Sequence, residues 1–157
     1  MSVVQRDYIE RMIEQFAQAI GEIVQLVRAG QFDPAMIVVR RTSELVLGPL
    51  LPVLERLDAT SAVELIGKHD LDRVRMYAAL LGEEGTIREM RGQTARAQYC
   101  CGRALELYAA ISMSGAPLRS ADWERIVEVQ PMVDSAMIDG RYHAELQRLA
   151  SQTAPRA

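Results

Sequence analysis

Residues Gly92–Leu107 read GQTARAQYCCGRALEL, and this stretch decides the fold of the chain. The glycine is followed five positions later by Ala97, and Ala104 comes seven positions after that. Residues seven apart lie on the same face of an α-helix, so the two alanines predict a helix that packs closely against the helix before the glycine. The stretch predicts a helical hairpin, and its small residues indicate packing and not catalysis.

The segment before the glycine completes this hairpin. Its apolar spacing predicts a long helix from Leu71 to about Met90. Gly82 and Gly85 lower helix propensity there, so they are expected to mark the close approach of a partner helix. Thr94 offers an N-cap for the helix after the turn. We place this hairpin at residues 71–114.

An earlier hairpin is predicted at residues 6–47. Apolar residues at intervals of three and four indicate a long first helix. Gly30 is expected to end this helix, and Asp33 is expected to be the N-cap of the next helix. The first helix has two apolar rows: Ile9, Ile13, Phe16, Ile20, Val24 and Val27 in the first, and Met12, Ala19, Ile23 and Leu26 in the second. Together they are wider than one contact stripe, so this helix is expected to touch two neighbours.

The second row is a candidate self-association surface. The end of a short array of hairpins needs a polar outer face or another surface against which to bury its apolar one. This row leaves the first helix without such a polar face, so we predict a homodimer through the first hairpin. Alternatively, residues 50–66 or the segment around Trp123 cover the row within the chain.

Residues 48–70 are predicted to be a connector with short helices. The segment contains Pro49 and Pro52 but stays apolar, unlike a flexible linker. Within it, Thr60 or Ser61 is expected to cap one short helix.

Residues 120–150 are predicted to form a C-terminal helical segment. Trp123, Ile126 and Val127 are expected to form its docking face, and Pro131 should interrupt the helix before it resumes over residues 132–138. The whole chain from 1 to 150 is expected to be a single all-α domain, followed by a frayed tail at 151–157.

The hairpin pattern resembles the tetratricopeptide repeat, a family of stacked antiparallel helical hairpins. The residues that carry the resemblance are Gly85, Gly92, Ala97 and Ala104. The earlier hairpin matches at Gly30, Phe32 and Ala35, but has Ile23 and Thr42 where the family has small residues. The opening RDYIERMIEQFAQAIGEIV is similar to that of a small bacterial family of uncharacterised tetratricopeptide-like proteins. The resemblance implies stacked hairpins that bind a protein or peptide, and it implies no catalytic residues.

Composition and charge exclude several classes of function. A net charge of −3 gives no reason to expect a nucleic acid as partner. Charges at Arg6, Asp7 and Glu10 are incompatible with a signal-peptide core, and no apolar run is long enough to span a membrane. With only two cysteines, adjacent in sequence, the chain is expected to be cytoplasmic. No motif indicates a cofactor.

The adjacent Cys100 and Cys101 are the most attractive candidates for chemistry. Vicinal thiols can bind soft metals or act as a redox switch, but neighbouring helical residues point about 100° apart and do not converge on one metal ion. Cys101 suits a buried packing position. His69, beside Asp70, and His143 are each better explained as isolated polar residues than as general bases.

Two functions remain open from the sequence. The first is a non-catalytic scaffold or adaptor that binds a protein or peptide in a groove of stacked hairpins. The second is a small-molecule or redox sensor with an interhelical pocket near Tyr77, Tyr99 and Cys100. No constellation of residues supports an enzyme.

Overall fold

The computed structural model describes residues 2–153, and these residues form helices and turns without a β-strand. The all-α prediction is therefore confirmed. The α-helices are α1 (Val3–Arg28), α2 (Phe32–Leu47), α3 (Leu51–Leu54), α4 (Ala59–Ile66), α5 (Leu71–Met90), α6 (Thr94–Met113), α7 (Ser120–Val129) and α8 (Gly140–Thr153). Short 3₁₀ turns cover Gly48–Leu50, Lys68–Asp70, Gln130–Met132 and Ser135–Met137.

The chain divides after Arg56 into two compact units. The first contains α1, α2 and α3, and the second contains α4 to α8. The division falls inside the apolar segment 48–70 that the sequence predicts to be a connector.

In the first unit, α1 and α2 form a hairpin with a tight turn. Gly30 ends α1 at a φ of +73°, which an L-residue adopts only at a cost. The backbone N–H of Gln31 donates to the carbonyl oxygen of Leu26 at 2.8 Å, the long bond of a Schellman motif. The next helix begins at Phe32, one residue before the predicted cap, so Asp33 lies in its first turn.

The hairpin of α5 and α6 makes up much of the second unit. Its turn at Gly92 has the same geometry as the turn at Gly30. The φ of Gly92 is +75°, and the N–H of Gln93 donates to the carbonyl oxygen of Arg88 at 2.8 Å. The two helices then run closely together at Gly85. A Cβ atom built there would clash with the Cys101 sulfur and would lie 3.3 Å from the carbonyl oxygen of Ala97. The predicted close approach is therefore present at Gly85.

Helices α5 and α6 are buried on nearly every side. The buried residues of α5 include Val74, Met76, Leu80 and Ile87. Helices α4, α6 and α7 pack around α5 and cover its buried positions. The buried surface of this helix is therefore wider than a single apolar stripe.

Helix α7 packs on α5 with a different face from the one predicted. Ile126 and Val129 are buried, whereas Val127 is 64% exposed and Trp123 is half-buried. Val129 reaches to 3.3 Å from the position of a Cβ atom at Gly82, so the predicted close approach at this second glycine involves α7. Residues three apart face the same side of the helix, which explains why Ile126 and Val129 share it.

Ion pairs and hydrogen bonds fix the start of α7 on α5. The buried carboxylate of Asp122 accepts from the backbone N–H of Arg119 at 2.9 Å and from Arg75 Nε at 3.1 Å. Arg75 also donates to the carbonyl oxygen of Pro117 at 2.8 Å. A buried carboxylate requires such partners, so this contact orients α7 as well as holding it.

The segment after α7 is not the helix predicted for residues 132–138. Pro131 lies inside a single 3₁₀ turn, and Val133 and Ile138 have extended backbone dihedrals on either side of a second turn. A proline lacks the N–H that a continuing helix needs, which favours this break.

Helix α8 extends further than predicted, since it continues to Thr153. The remainder of the predicted frayed tail, residues 154–157, lies outside the described residues.

Candidate binding cleft

A cleft of about 230 Å³ is open on the second unit, between α6, α8 and the segment that joins α7 to α8. Its lining residues are Leu105, Gln130, Val133, Ser135, Ile138, His143, Leu146, Gln147 and Ala150. None of these side chains is acidic, and none is Lys or Arg. The lining of the cleft therefore contains no carboxylate, ammonium or guanidinium group.

Helix α8 supplies one wall of the cleft through its repeat. His143, Leu146, Gln147 and Ala150 are spaced by three, one and three residues, which places them along one side of the helix. Leu146 is buried at the base of this wall, while Gln147 and Ala150 are exposed at its edge. Leu105 of α6, which is almost fully buried, completes the floor.

The segment between α7 and α8 supplies the opposite wall. Asp134 caps the second 3₁₀ turn by accepting from the backbone N–H of Ala136 at 3.0 Å. The extended residues Val133 and Ile138 flank this turn and line the cleft, and Ser135 adds a hydroxyl. The break at Pro131 thus creates the wall, because a continuous helix would not present these residues together.

Specific hydrogen bonds hold α8 in position. The hydroxyl of Tyr142, which is buried, accepts from the backbone N–H of Thr60 at the start of α4 at 3.0 Å. This N–H belongs to the first turn of α4, where backbone donors have no partner within the helix. The N-cap of α4 is Asp58, which accepts from the N–H of Ser61 at 2.8 Å, and not the predicted Thr60 or Ser61.

A second contact holds the middle of α8 against α6. Ser112 donates to a carboxylate oxygen of Glu145 at 2.8 Å. The hydrogen bond from Arg148 holds the pKa of Glu145 below its usual value, and the hydrogen bond from Ser112 has a smaller effect in the same direction. The carboxylate therefore stays ionised, and the contact persists, at neutral pH.

The chemistry of the cleft suits an uncharged and mainly apolar group. Apolar side chains form the floor, and amide, hydroxyl and imidazole groups stand at the rim, as in many ligand pockets. Burial of an apolar group would be favourable on this floor, and the rim could orient it by hydrogen bonds.

The two cysteines occupy separate packing positions on the hairpin. Cys101 lies against Gly85, and the Cys100 thiol donates to a Glu84 carboxylate oxygen at 2.7 Å. Burial, with a smaller effect of Glu89, raises the pKa of Cys101 to about 11. Burial and the bond to Glu84 raise the pKa of Cys100 still further above its ordinary value. Both thiols are therefore protonated at neutral pH, unlike reactive cysteines.

The residues predicted for a sensor pocket differ in their exposure. Tyr77 and Cys100 are buried, whereas Tyr99 is 53% exposed and carries the guanidinium of Arg96 at 5.5 Å from its ring centre. The cleft on the second unit is lined by none of the three.

The two histidines also differ. His69 is exposed in the 3₁₀ turn before α5, and His143 is half-buried in the cleft. From the sequence, His143 is expected to be an isolated polar residue, but the structure places it among the residues of the cleft.

The predicted self-association row is only partly accessible. Met12 and Ile23 are buried, at 3% and 0% exposure, and Ala19 and Leu26 are half-buried. The half-exposed edge of α1 instead includes Ile13, at 41% exposure, from the first row. The second row as a whole is therefore not a free surface, and the homodimer itself stays a prediction.

Comparison of the chain with protein-family models, with curated proteins and with solved structures found no match in any of the three. In the part of the chain that the structure describes, no helix combines the length and apolar character needed to cross a bilayer. Residues 2–153 also bring together no group of three or more His, Cys, Asp or Glu side chains suited to a metal ion.

The cleft is the feature that sequence analysis missed. One signal was present in the sequence, because His143, Leu146, Gln147 and Ala150 have helical spacing. The other wall has no such periodicity, since it consists of turns and extended residues. Its position beside α8 depends on contacts between elements that are distant in sequence.

Proposed function

We propose that the chain is a non-catalytic adaptor that binds a partner protein through an apolar side chain inserted into the cleft. The observation that carries this proposal is the cleft itself, with its apolar floor, its polar rim and a lining without carboxylate, ammonium or guanidinium groups. Binding energy in protein interfaces is concentrated on a few large side chains that fill pockets of this kind.

The size of the cleft supports a side chain as its occupant. A cleft of about 230 Å³ can hold one large aliphatic or aromatic side chain, whereas drug-sized ligands fill pockets of about 300–1,000 Å³. The amide groups of Gln130 and Gln147 at the rim can also bond to the backbone of a bound peptide.

The proposed family relationship points in the same direction. We propose that the hairpin of α5 and α6 is tetratricopeptide-like, and the packing of Gly85 against Ala97 and Cys101 supports this proposal. Repeats of helical hairpins provide extended binding surfaces for proteins and peptides.

Selection of displayed peptides on the full-length chain tests the adaptor. The expected peptides share one large apolar residue, and they lose binding to the Ala150→Trp variant, whose indole fills the cleft from its exposed edge. Ala144→Trp is the matched control, because Ala144 is exposed on the same helix and does not line the cleft. Selected peptides that bind Ala150→Trp and the parent equally would show that the cleft is not the binding site.

A homodimer through the first hairpin is a second proposal, supported by the half-exposed edge of α1. Ile13 and Val24 lie on this edge, outside the buried centre of the helix. In light scattering at tens of micromolar, the parent is expected to be a dimer and the Ile13→Glu/Val24→Glu variant a folded monomer. A monomeric parent would exclude the dimer. Ile23→Glu is unsuited to this test, since Ile23 is buried and a charge there should disrupt folding.

A further inference from the structure

A second, much smaller cavity lies between α5, α6 and α7, on the same unit but with a different lining from the cleft. The residues around it are Ala78, Ala79, Gly82, Glu83, Thr86, Ala104, Tyr108, Arg125, Glu128 and Val129. Its volume of about 10 Å³ admits one group of the size of a water molecule. Its lining combines small residues with polar and charged side chains.

Tyr108 brings an unexplained polar group to this cavity. The side chain is 1% exposed, and its hydroxyl oxygen has no hydrogen-bond partner among the described residues. Burial raises the pKa of Tyr108 above its ordinary value, and the charges of Arg125, Asp122, Glu128 and Arg75 act on it more weakly. Tyr108 lines the cavity together with Arg125 and Glu128 of α7. An unpaired buried hydroxyl is costly, which indicates that a bound group satisfies it.

One carboxylate of the cavity, that of Glu83, is held by a long ion pair. Glu83 is mostly buried, and its nearest contact with Arg125 is 3.6 Å, longer than a charge-assisted hydrogen bond. Burial raises the pKa of Glu83, and Glu128 raises it further, while Arg125 lowers it. Two carboxylates and one guanidinium leave the lining with a formal charge of −1. A cation in the cavity would therefore be favoured over a neutral group.

We propose that this cavity binds a primary ammonium group, held by Glu83, Glu128 and the Tyr108 hydroxyl. An ammonium has three N–H donors, and these three side chains offer one acceptor each. The –NH3+ end of a primary amine is close to water in size, so this end fits the cavity. A guanidinium group is too large for it. The ammonium can belong to a lysine side chain of a partner protein or to a small free amine. The site is independent of the cleft, so it can exist whether or not the adaptor proposal holds.

The test is an NMR titration of the full-length chain with methylammonium chloride at constant ionic strength. Tetramethylammonium chloride is the matched control, because it has the same charge but no N–H donor and does not fit. Saturable shifts of the Gly82, Glu83 and Val129 amides are expected with methylammonium alone. Equal shifts from both salts, or from potassium chloride, would overturn the proposal, as would no shift at all.

Two variants assign the binding to these side chains. Tyr108→Phe and Glu128→Gln are each expected to weaken methylammonium binding by about fivefold or more, the effect of one lost hydrogen bond. Tyr108→Phe should fold normally, because it removes only a hydroxyl without a partner. Glu124→Gln, at an exposed position of α7 outside the cavity, should bind like the parent. Unchanged binding by Tyr108→Phe would contradict the assigned geometry.

Two further probes distinguish the sources of the ammonium. Tighter binding of a peptide that contains lysine than of methylammonium would identify a protein partner. Tighter binding of a free diamine such as cadaverine would identify a small amine. In either arm, acetylation of the amino group should abolish binding, because it removes the charge and two of the three donors.

Discussion

Hairpin α1–α2 and hairpin α5–α6 turn with the same hydrogen bond and then pack in different ways. In each, a glycine with positive φ is followed by a glutamine whose N–H donates to a carbonyl oxygen five residues earlier, at 2.8 Å. Seven residues before the glycine, the first hairpin has Ile23 and the second has Gly85. Both positions are buried.

Of the other matched positions, one is alike in the two hairpins and one differs. Ala35 and Ala97, five residues after the glycines, are both fully buried. Four residues further on, Val39 in the first hairpin corresponds to Cys101 in the second, where the sulfur closes over Gly85. In the first hairpin a large side chain occupies the position seven residues before the turn glycine. In the second hairpin a glycine occupies it, and the backbones of the two helices come closer together. Hairpins with similar turns can therefore pack their helices differently. The turn depends on local backbone geometry, whereas the distance between the helices depends on the volume of the side chains between them.

The largest effect is expected for Ile23→Ala, which removes the buried side chain that fills the first hairpin. The loss of apolar contacts and the cavity left behind should lower the free energy of unfolding by about 2–5 kcal/mol. Urea denaturation followed by circular dichroism measures this change. A loss below the range would mean that the hairpin collapses around the smaller residue and adopts the close packing of its counterpart.

Ala97→Leu and Ala104→Leu overfill the second hairpin, where both alanines are buried. Each is expected to lower the free energy of unfolding by about 1–3 kcal/mol, because the close contact with α5 leaves no room for a larger side chain. Thermal melts of the two variants provide the measurement. Melting temperatures equal to that of the parent would contradict the close packing of α5 against α6.

Gly85→Ala adds a single methyl group at the closest approach of the two helices. The new Cβ atom would clash with the Cys101 sulfur, so the variant is expected to be less stable by about 1 kcal/mol despite the helix propensity of alanine. Adding Cys101→Ala removes the sulfur and should make Gly85→Ala less costly than it is in the parent, as a double-mutant cycle would show.

Gly21→Ala is the matched control for this change. Gly21 lies inside α1, and a Cβ atom there would have no neighbour within 4 Å. Alanine should therefore stabilise the first hairpin by about 0.5–1 kcal/mol. If Gly85→Ala were equally stabilising, the helices of the second hairpin would not be in close contact.

The smallest effect is expected from oxidation of the second hairpin. Because both thiols are buried and protonated at neutral pH, peroxide should leave the oligomeric state and ligand binding of the parent unchanged. Size-exclusion chromatography before and after treatment measures this, with the Cys100→Ser/Cys101→Ser variant as control. A peroxide-dependent change in the parent that the double variant lacks would favour the redox sensor.

The sequence alone determined the helical class, the two turns and most helix boundaries. Gly30, Gly92 and the spacing of apolar residues act over a few positions, and local geometry restricts what such patterns can form. The close approach at Gly85 was also predictable, since a glycine inside a helix needs a packing reason.

The tertiary structure decided which faces are buried and where a ligand could bind. Ile13 and Ile23 are both apolar residues of α1, yet only Ile23 is fully buried, because burial depends on where a neighbouring helix lies. The same holds for Val127, which is apolar but exposed on α7. The cleft and the small cavity each combine residues from three elements, and their geometry depends on packing between helices that no local pattern encodes.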